Sequence, residues 1–189
     1  MDDLNTHQLV QLAWDALPAS HRHLLTQIGA SQWEIVTQGI GHATRDRLAS
    51  AGEVIPSEAQ CRADDEALGV WVPNLRLVII NEAHPALRDA DATTREALLT
   101  WVAWHEWGHA LSVTSDTPHD SAEGARLLEL APEGMRERIR RGLYPRREYI
   151  HELIAETYAL LMRERVEGRR GKPAWLPDEI DRLMTRIGA

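Results

Sequence analysis

The stretch that most constrains the fold is an apolar-rich segment that begins near Thr93 and ends in the sequence HEWGH at positions 105–109. Its apolar residues are too numerous for a solvated surface helix. We therefore predict a mostly buried helix over about residues 93–113. Thr93 and Glu96 have the spacing of a capping box, which predicts the start of this helix.

The pentapeptide at the end of this helix has the pattern H-E-x-x-H. On a helix, this spacing places His105 and His109 on one face with Glu106 beside them. Inside a buried helix these polar groups are costly unless they are paired or bind a metal. Two neutral imidazoles are suitable ligands for Zn²⁺, and the glutamate is then positioned to polarise the attacking water.

Two other residues of the motif are harder to interpret. Gly108 costs about 1 kcal/mol relative to Ala within a helix. Close approach of another backbone, or of a substrate, would explain it. Trp107 is compatible with a wall of the site and with an ordinary core position.

Composition limits the class of protein. With 189 residues, a net charge of −8 and no basic cluster, the chain is expected to form one domain that does not bind nucleic acid. The single cysteine excludes an intramolecular disulfide and a cysteine-rich zinc module. The N-terminus has no signal-peptide pattern, and no apolar run is long enough to span a membrane. We expect a cytoplasmic, monomeric protein without a membrane partner.

The pattern of apolar residues predicts an α+β fold. Residues 1–30 are expected to be helical, and a small, mostly antiparallel sheet is expected over about residues 33–81, with a hairpin turn at Pro73-Asn74. The segment 39–66 gives no clear pattern. One or two helices are predicted between 121 and 141, divided near Pro132. A helix is then expected at about 147–166 and a helical tail at 176–188.

The strands precede the motif helix directly, and this order matters for function. An exposed strand edge beside a metal can hold an extended peptide by strand addition and present its carbonyl for attack. Plain structural sheet is the alternative interpretation, and the sequence does not identify the edge strand.

A catalytic zinc site needs a third protein ligand and an open position for water. The residues alone leave several candidates downstream of His109, some in the adjoining loop and some in the helix near residue 150. These candidates are Asp116, His119, Asp120, His151, Glu152 and Glu156.

The motif at 105–109 resembles that of zincin metallopeptidases, and residues 149–156 are similar to the glutamate helix of gluzincins. The similarity extends from about Leu68 to Leu161 and is closest to minigluzincins and the catalytic domains of lethal-factor-like toxins. It implies a zincin-like single domain in which Glu152 is the third zinc ligand and Glu156 hydrogen-bonds a ligand histidine. Ser112 and Ser115 stand where metzincins require Gly and His, so that branch is excluded, and the aspzincin Asp motif is also missing.

Gluzincins commonly use a Tyr or His in the cleft to stabilise the oxyanion. Two tyrosines precede the candidate ligand. Tyr149 lies one helical turn before Glu152 and is the preferred catalytic residue, with Tyr144 as the alternative.

The resemblance thus implies a zinc metalloendopeptidase that acts on peptide or protein substrates, with Glu106 as general base. One alternative is a latent or non-enzymatic zincin-fold protein that binds zinc for regulation or interaction. In a latent form, residues 175–177 and the terminal helix would fold over a short cleft, so removal of residues after Gly171 should raise activity. Another is a zinc hydrolase that acts on a non-peptide substrate.

Overall fold

The computed structural model describes residues 4–113, 121–142, 144 and 146–188. The fold class is α+β, as predicted. The chain divides into two compact units, Met1–Trp107 and Gly108–Ala189, with the boundary inside one continuous helix. The elements in chain order are α1 (Thr6–Asp15), α2 (Ala19–Gln27), β1 (Gln32–Val36), α3 (Ile40–Ala51), α4 (Glu58–Asp64), β2 (Gly69–Val72), β3 (Leu77–Asn81), α5 (Pro85–Arg88), α6 (Ala92–Ser112), α7 (Ser121–Leu130), α8 (Glu133–Arg141), α9 (Tyr149–Val166) and α10 (Asp178–Arg186).

The sheet lies in the first unit and is mixed. Its strand order is β1-β3-β2, with β1 parallel and β2 antiparallel to β3. The expectation of a mostly antiparallel sheet is therefore wrong for β1. The chain after β1 passes through α3 and α4 before it reaches the sheet again, and a parallel pair requires such a crossover. A short 3-10 turn, Pro73–Leu75, joins β2 to β3, and Arg76 follows it in the left-handed region at φ 51°.

The segment 39–66, which has no clear sequence pattern, contains α3 and α4, and these helices pack against each other. Gly41 of α3 lies so close to the backbone of Cys61 that a β-carbon there would overlap it. Part of the core of this unit consists of buried side chains from α3 and the sheet. These side chains are Val36, Ile40, Ala43, Leu48, Val72 and Ile79.

Helix α6 matches the predicted motif helix closely, but its start is different. The Thr94 N–H donates to the Asp91 carboxylate at 2.8 Å, so Asp91 caps the helix and the predicted Thr93–Glu96 box is wrong. This hydrogen bond also lowers the pKa of Asp91. Asp91 is a strong N-cap residue that removes one free N–H from the first turn.

Two tryptophans anchor the part of α6 that belongs to the first unit. The Trp104 indole N–H donates to the Ala13 carbonyl of α1 at 3.1 Å. Trp107 is fully buried, and its ring meets those of Trp14 and Trp33 edge-on at centroid distances of 5.2 and 6.1 Å. Trp107 is therefore a core residue of this unit.

In the second unit, α9 packs against α7 and α8, and α10 packs against α7. Two helices lie between 121 and 141 and are divided at Pro132, as predicted. The inner face of α10 buries Ile180, Leu183 and Met184, and Ile187 is buried just after it. Removal of the chain after Gly171 would therefore expose core, which complicates the truncation test of latency. Among the described residues, every helix is too short or too polar to cross a lipid bilayer.

Candidate metal centre

Helices α6 and α9 bring three potential metal ligands together. His105 and His109 are one turn apart on the continuous helix α6, and Glu152 lies in the first turn of α9. His109 Nε2 is 3.5 Å from Glu152 Oε1. One ligand atom from each of the three residues lies within 4.8 Å of the other two. This is the set that the sequence and the resemblance predict.

The absence of a side chain at Gly108 lets α6 and α9 approach closely. A β-carbon at Gly108 would lie 2.7 Å from Ala155 Cα and 3.1 Å from Tyr158 Cβ. The first of these distances is impossible without movement of backbone. Close approach of another backbone thus explains the glycine, and it holds the turn after Glu152 against the turn that carries His109.

His151, one of the candidate ligands, bonds to a serine of α6. The Ser112 hydroxyl donates to the His109 carbonyl at 2.7 Å, and Ser112 Oγ lies 2.8 Å from His151 Nδ1. Since the single hydroxyl proton is used on the carbonyl, we assign the proton of the second bond to Nδ1 of His151. The pair ties the start of α9 to the end of α6 next to Glu152.

Glu156, the expected partner of a ligand histidine, is paired with an arginine instead. Arg138 of α8 donates from Nη2 to Glu156 Oε2 at 2.9 Å and from Nε to Oε1 at 3.4 Å. The carboxylate is mostly buried and the guanidinium about half exposed. The structure therefore differs here from the arrangement that the resemblance implies.

Burial dominates the electrostatics of Glu152. Burial, which is the largest cause, and the negative charges of Glu156 and Glu148 together raise the pKa of this carboxyl from 4.5 to about 8. A hydrogen bond from Tyr144 acts in the opposite direction and lowers the pKa. A buried carboxylate with two like charges nearby favours a cation as neighbour, which fits the role of metal ligand.

This shift predicts how the metal-free protein responds to pH. Between the usual pKa of 4.5 and about 8, the folded chain holds a proton on Glu152 that the unfolded chain has released. Stability is therefore lost as pH rises through this window. We expect Glu152→Gln to stabilise the metal-free protein, with a gain that grows from pH 5 to pH 8.5 in urea unfolding.

Glu96→Gln, at an exposed position of the same helix that carries the histidines, is the matched control and should give no such trend. A gain for Glu152→Gln that is the same at both pH values would contradict the assignment of the shift to burial of Glu152.

Glu106 is buried in the first unit, next to the first residue of β2. A β-carbon at Gly69 would lie 2.6 Å from Val102 Cγ1, 3.0 Å from Glu106 Cγ and 3.2 Å from Glu106 Oε1. The glycine therefore leaves the space that the Glu106 side chain needs. It also places the beginning of an edge strand of the sheet beside this carboxylate.

The two tyrosines have different surroundings. Tyr144, which is exposed, is the one that hydrogen-bonds Glu152. Tyr149, the preferred residue from the sequence, is half-buried and lines a surface pocket with Arg126, Arg140 and Arg146. A catalytic role for Tyr149 stays a prediction. Tyr144, in contrast, is in contact with the metal cluster through its hydrogen bond to Glu152.

Asp116, His119 and Asp120 lie outside the described residues. Among those described, His105, His109 and Glu152 form the cluster of histidine and acidic side chains that is suited to a metal. The sequence pattern indicates no role for Arg138, and Ser112 is notable in it only as a departure from metzincins. Both act through partners 18 and 39 positions away, so no local pattern reveals them.

The donor set of two imidazoles and one carboxylate fits zinc better than magnesium or calcium, which prefer oxygen ligands alone. Comparison of the chain with models of protein families, with curated proteins and with solved structures found no match. The resemblance to gluzincins therefore stays a prediction from the residues of the two motifs.

Proposed function

We propose that this protein is a zinc-dependent peptidase. The observation that carries the proposal is the cluster of His105, His109 and Glu152, whose ligand atoms lie within 4.8 Å of one another on α6 and α9. The glutamate of H-E-x-x-H is also present in the same helix as the two histidines. A purely structural metal site does not need that glutamate, so its presence supports catalysis.

The three side chains would hold the ion and leave a coordination position open. A zinc ion bound there supplies a Lewis acid that activates water and polarises a carbonyl. Glu106 acts as the general base, which accepts the proton of the attacking water and passes it to the leaving amine.

The free edge of β2 is suited to hold the substrate. Strand β2 pairs with β3 on one side and lies at the edge of the sheet within the described part of the chain. An extended peptide can add to such an edge through main-chain hydrogen bonds, largely independent of its side chains. Because Gly69 lies beside Glu106, a peptide on this edge would pass close to the general base.

We assign Tyr144 as the oxyanion donor because it is exposed and already hydrogen-bonded to a metal ligand. A phenol aimed at the developing negative charge lowers the barrier to the tetrahedral intermediate.

Tyr144→Phe is expected to lower kcat about 100-fold with little change in KM. Tyr149→Phe is the matched control, and we expect its kcat within about twofold of wild type. A large loss in Tyr149→Phe alone would return the role to Tyr149.

The proposal is tested by zinc content and hydrolysis of an unfolded substrate. We expect the purified chain to hold one zinc per molecule and to cleave unfolded casein. Removal of the metal with 1,10-phenanthroline should abolish cleavage, and added zinc should restore it. One zinc per chain without cleavage of any unfolded protein would instead support a zinc-binding regulatory module.

A further inference from the structure

A second candidate site lies in the second unit, in a surface pocket bordered by α7, α8 and the start of α9. Its volume is about 300 Å³, which admits a group the size of a modified side chain or a small metabolite. The residues that line it are Ala125, Arg126, Glu129, Arg140, Arg146 and Tyr149.

The pocket carries an excess of positive charge. Three arginines and one glutamate are among its lining residues, which gives this lining an excess of two positive charges. Arg140 pairs with Glu129. Arg126 and Arg146 form no ion pair or side-chain hydrogen bond within the described ranges. On a chain with a net charge of −8, two guanidinium groups that line one pocket and have no ion-pair partner among the described residues are unusual.

Tyr149 adds a neutral donor to the arginines. It is half-buried at the first position of α9, and its hydroxyl has no hydrogen-bond partner in the part of the chain that is described. Guanidinium groups offer paired N–H donors that match the oxygens of phosphate and carboxylate groups. A phenol hydroxyl supplies one further donor to the same oxygens.

The charge balance favours phosphate over carboxylate. A phosphate monoester carries about −1.5 to −2 charges near neutral pH, which matches the excess of two in the pocket. A carboxylate would leave about half of that excess uncompensated. The neighbouring pocket between α7 and α10 has three arginines, Arg126 among them, against Glu123 and Glu179. Its excess is one positive charge, so it is less suited to a phosphate monoester.

We propose that Arg126, Arg146 and Tyr149 form a binding site for a phosphate monoester. The two guanidinium groups bind the phosphate oxygens and neutralise their charge, while the phenol donates a single hydrogen bond. The Arg140–Glu129 pair forms one side of the pocket and contributes less to the net charge. None of the three residues belongs to the metal cluster, so the phosphate site does not rest on the peptidase proposal, in which Tyr144 takes the role that the sequence predicts for Tyr149.

The test is isothermal titration of the full chain with phenyl phosphate at fixed ionic strength. Arg126→Gln and Arg146→Gln should each weaken binding about tenfold or more, since each removes a charge-assisted hydrogen bond. Tyr149→Phe should weaken it about threefold to tenfold. Arg141→Gln is the matched control, because Arg141 is an exposed arginine of α8 that pairs with Glu137 and does not line the pocket. It should change the affinity by less than about twofold.

Benzoate tests the choice of anion, and we expect it to bind at least tenfold more weakly than phenyl phosphate. Equal binding of benzoate, no binding of phenyl phosphate at millimolar concentration, or equal loss in Arg141→Gln would each overturn the proposal. Binding that persists in Arg146→Gln would do the same, because it would place the phosphate elsewhere, for example at the metal. A phosphotyrosine peptide that binds tighter than phenyl phosphate would identify a phosphoprotein as the source of the group, and equal affinity a small molecule.

Discussion

Glu106→Gln is expected to lower the kcat for peptide hydrolysis by about 10²- to 10⁴-fold while the chain keeps one zinc. Glutamine has nearly the same shape as glutamate but cannot accept the proton of the attacking water. Since Glu106 is not one of the three clustered ligands, the affinity for zinc should change little. Hydrolysis of unfolded casein and zinc content by atomic absorption give the two measurements.

The matched control for this change is Glu96→Gln, at an exposed position earlier in α6. It removes the same charge from the same helix, so its kcat should equal that of wild type. If Glu106→Gln retains wild-type activity, Glu106 is not the base, and the role passes to another group. If both variants lose activity equally, the effect comes from the charge of the helix and not from proton transfer.

The second large effect is expected from loss of the carboxylate ligand. Glu152→Ala should weaken zinc binding by more than about 100-fold, because it removes one of three ligands outright. Glu156→Ala should weaken zinc binding by less than about tenfold. Glu156 is paired with Arg138, and it acts on Glu152 through its negative charge. Competition with a fluorescent zinc chelator measures both affinities.

The metal-free stability of the same two variants separates ligand loss from unfolding. Removal of the buried carboxyl at Glu152 should leave the metal-free chain as stable as wild type or more so at pH 8, because the raised pKa makes ionisation of that group in the folded chain unfavourable. If Glu156→Ala loses zinc while Glu152→Ala keeps it, Glu156 and not Glu152 is the third ligand.

The parts of the site that the sequence predicts are those that depend on local register. The spacing of His105 and His109 fixes their common face, and the apolar run around them marks a buried helix. Glu152 followed from likeness to a known motif and not from spacing alone. No sequence pattern indicates roles for Ser112 and Arg138, because each acts through a hydrogen bond to a residue far along the chain.

In the fold, too, features that depend on local sequence are predicted, and features that depend on distant contacts are not. Helices α6 and α9 match the predicted ranges within a residue or two, since each has a long apolar pattern. The sequence of segment 39–66 predicts no clear secondary structure, because α3 is only weakly apolar and is stabilised by close packing of Gly41 against α4. The parallel pairing of β1 with β3 depends on that crossover, so it could not be derived from the strands themselves.

The contact between Gly108 and Ala155 has a consequence for how the chain takes up a metal. Because two backbones pack together beside His109 and one turn after Glu152, the distance between the backbones that carry these side chains is set when the protein folds, before any ion binds. An incoming ion would therefore find its ligands assembled and would need little rearrangement of the chain. Such a site should bind zinc quickly and disfavour larger ions that need longer metal–ligand distances. The arrangement of its ligands should be the same before the ion binds and after it dissociates.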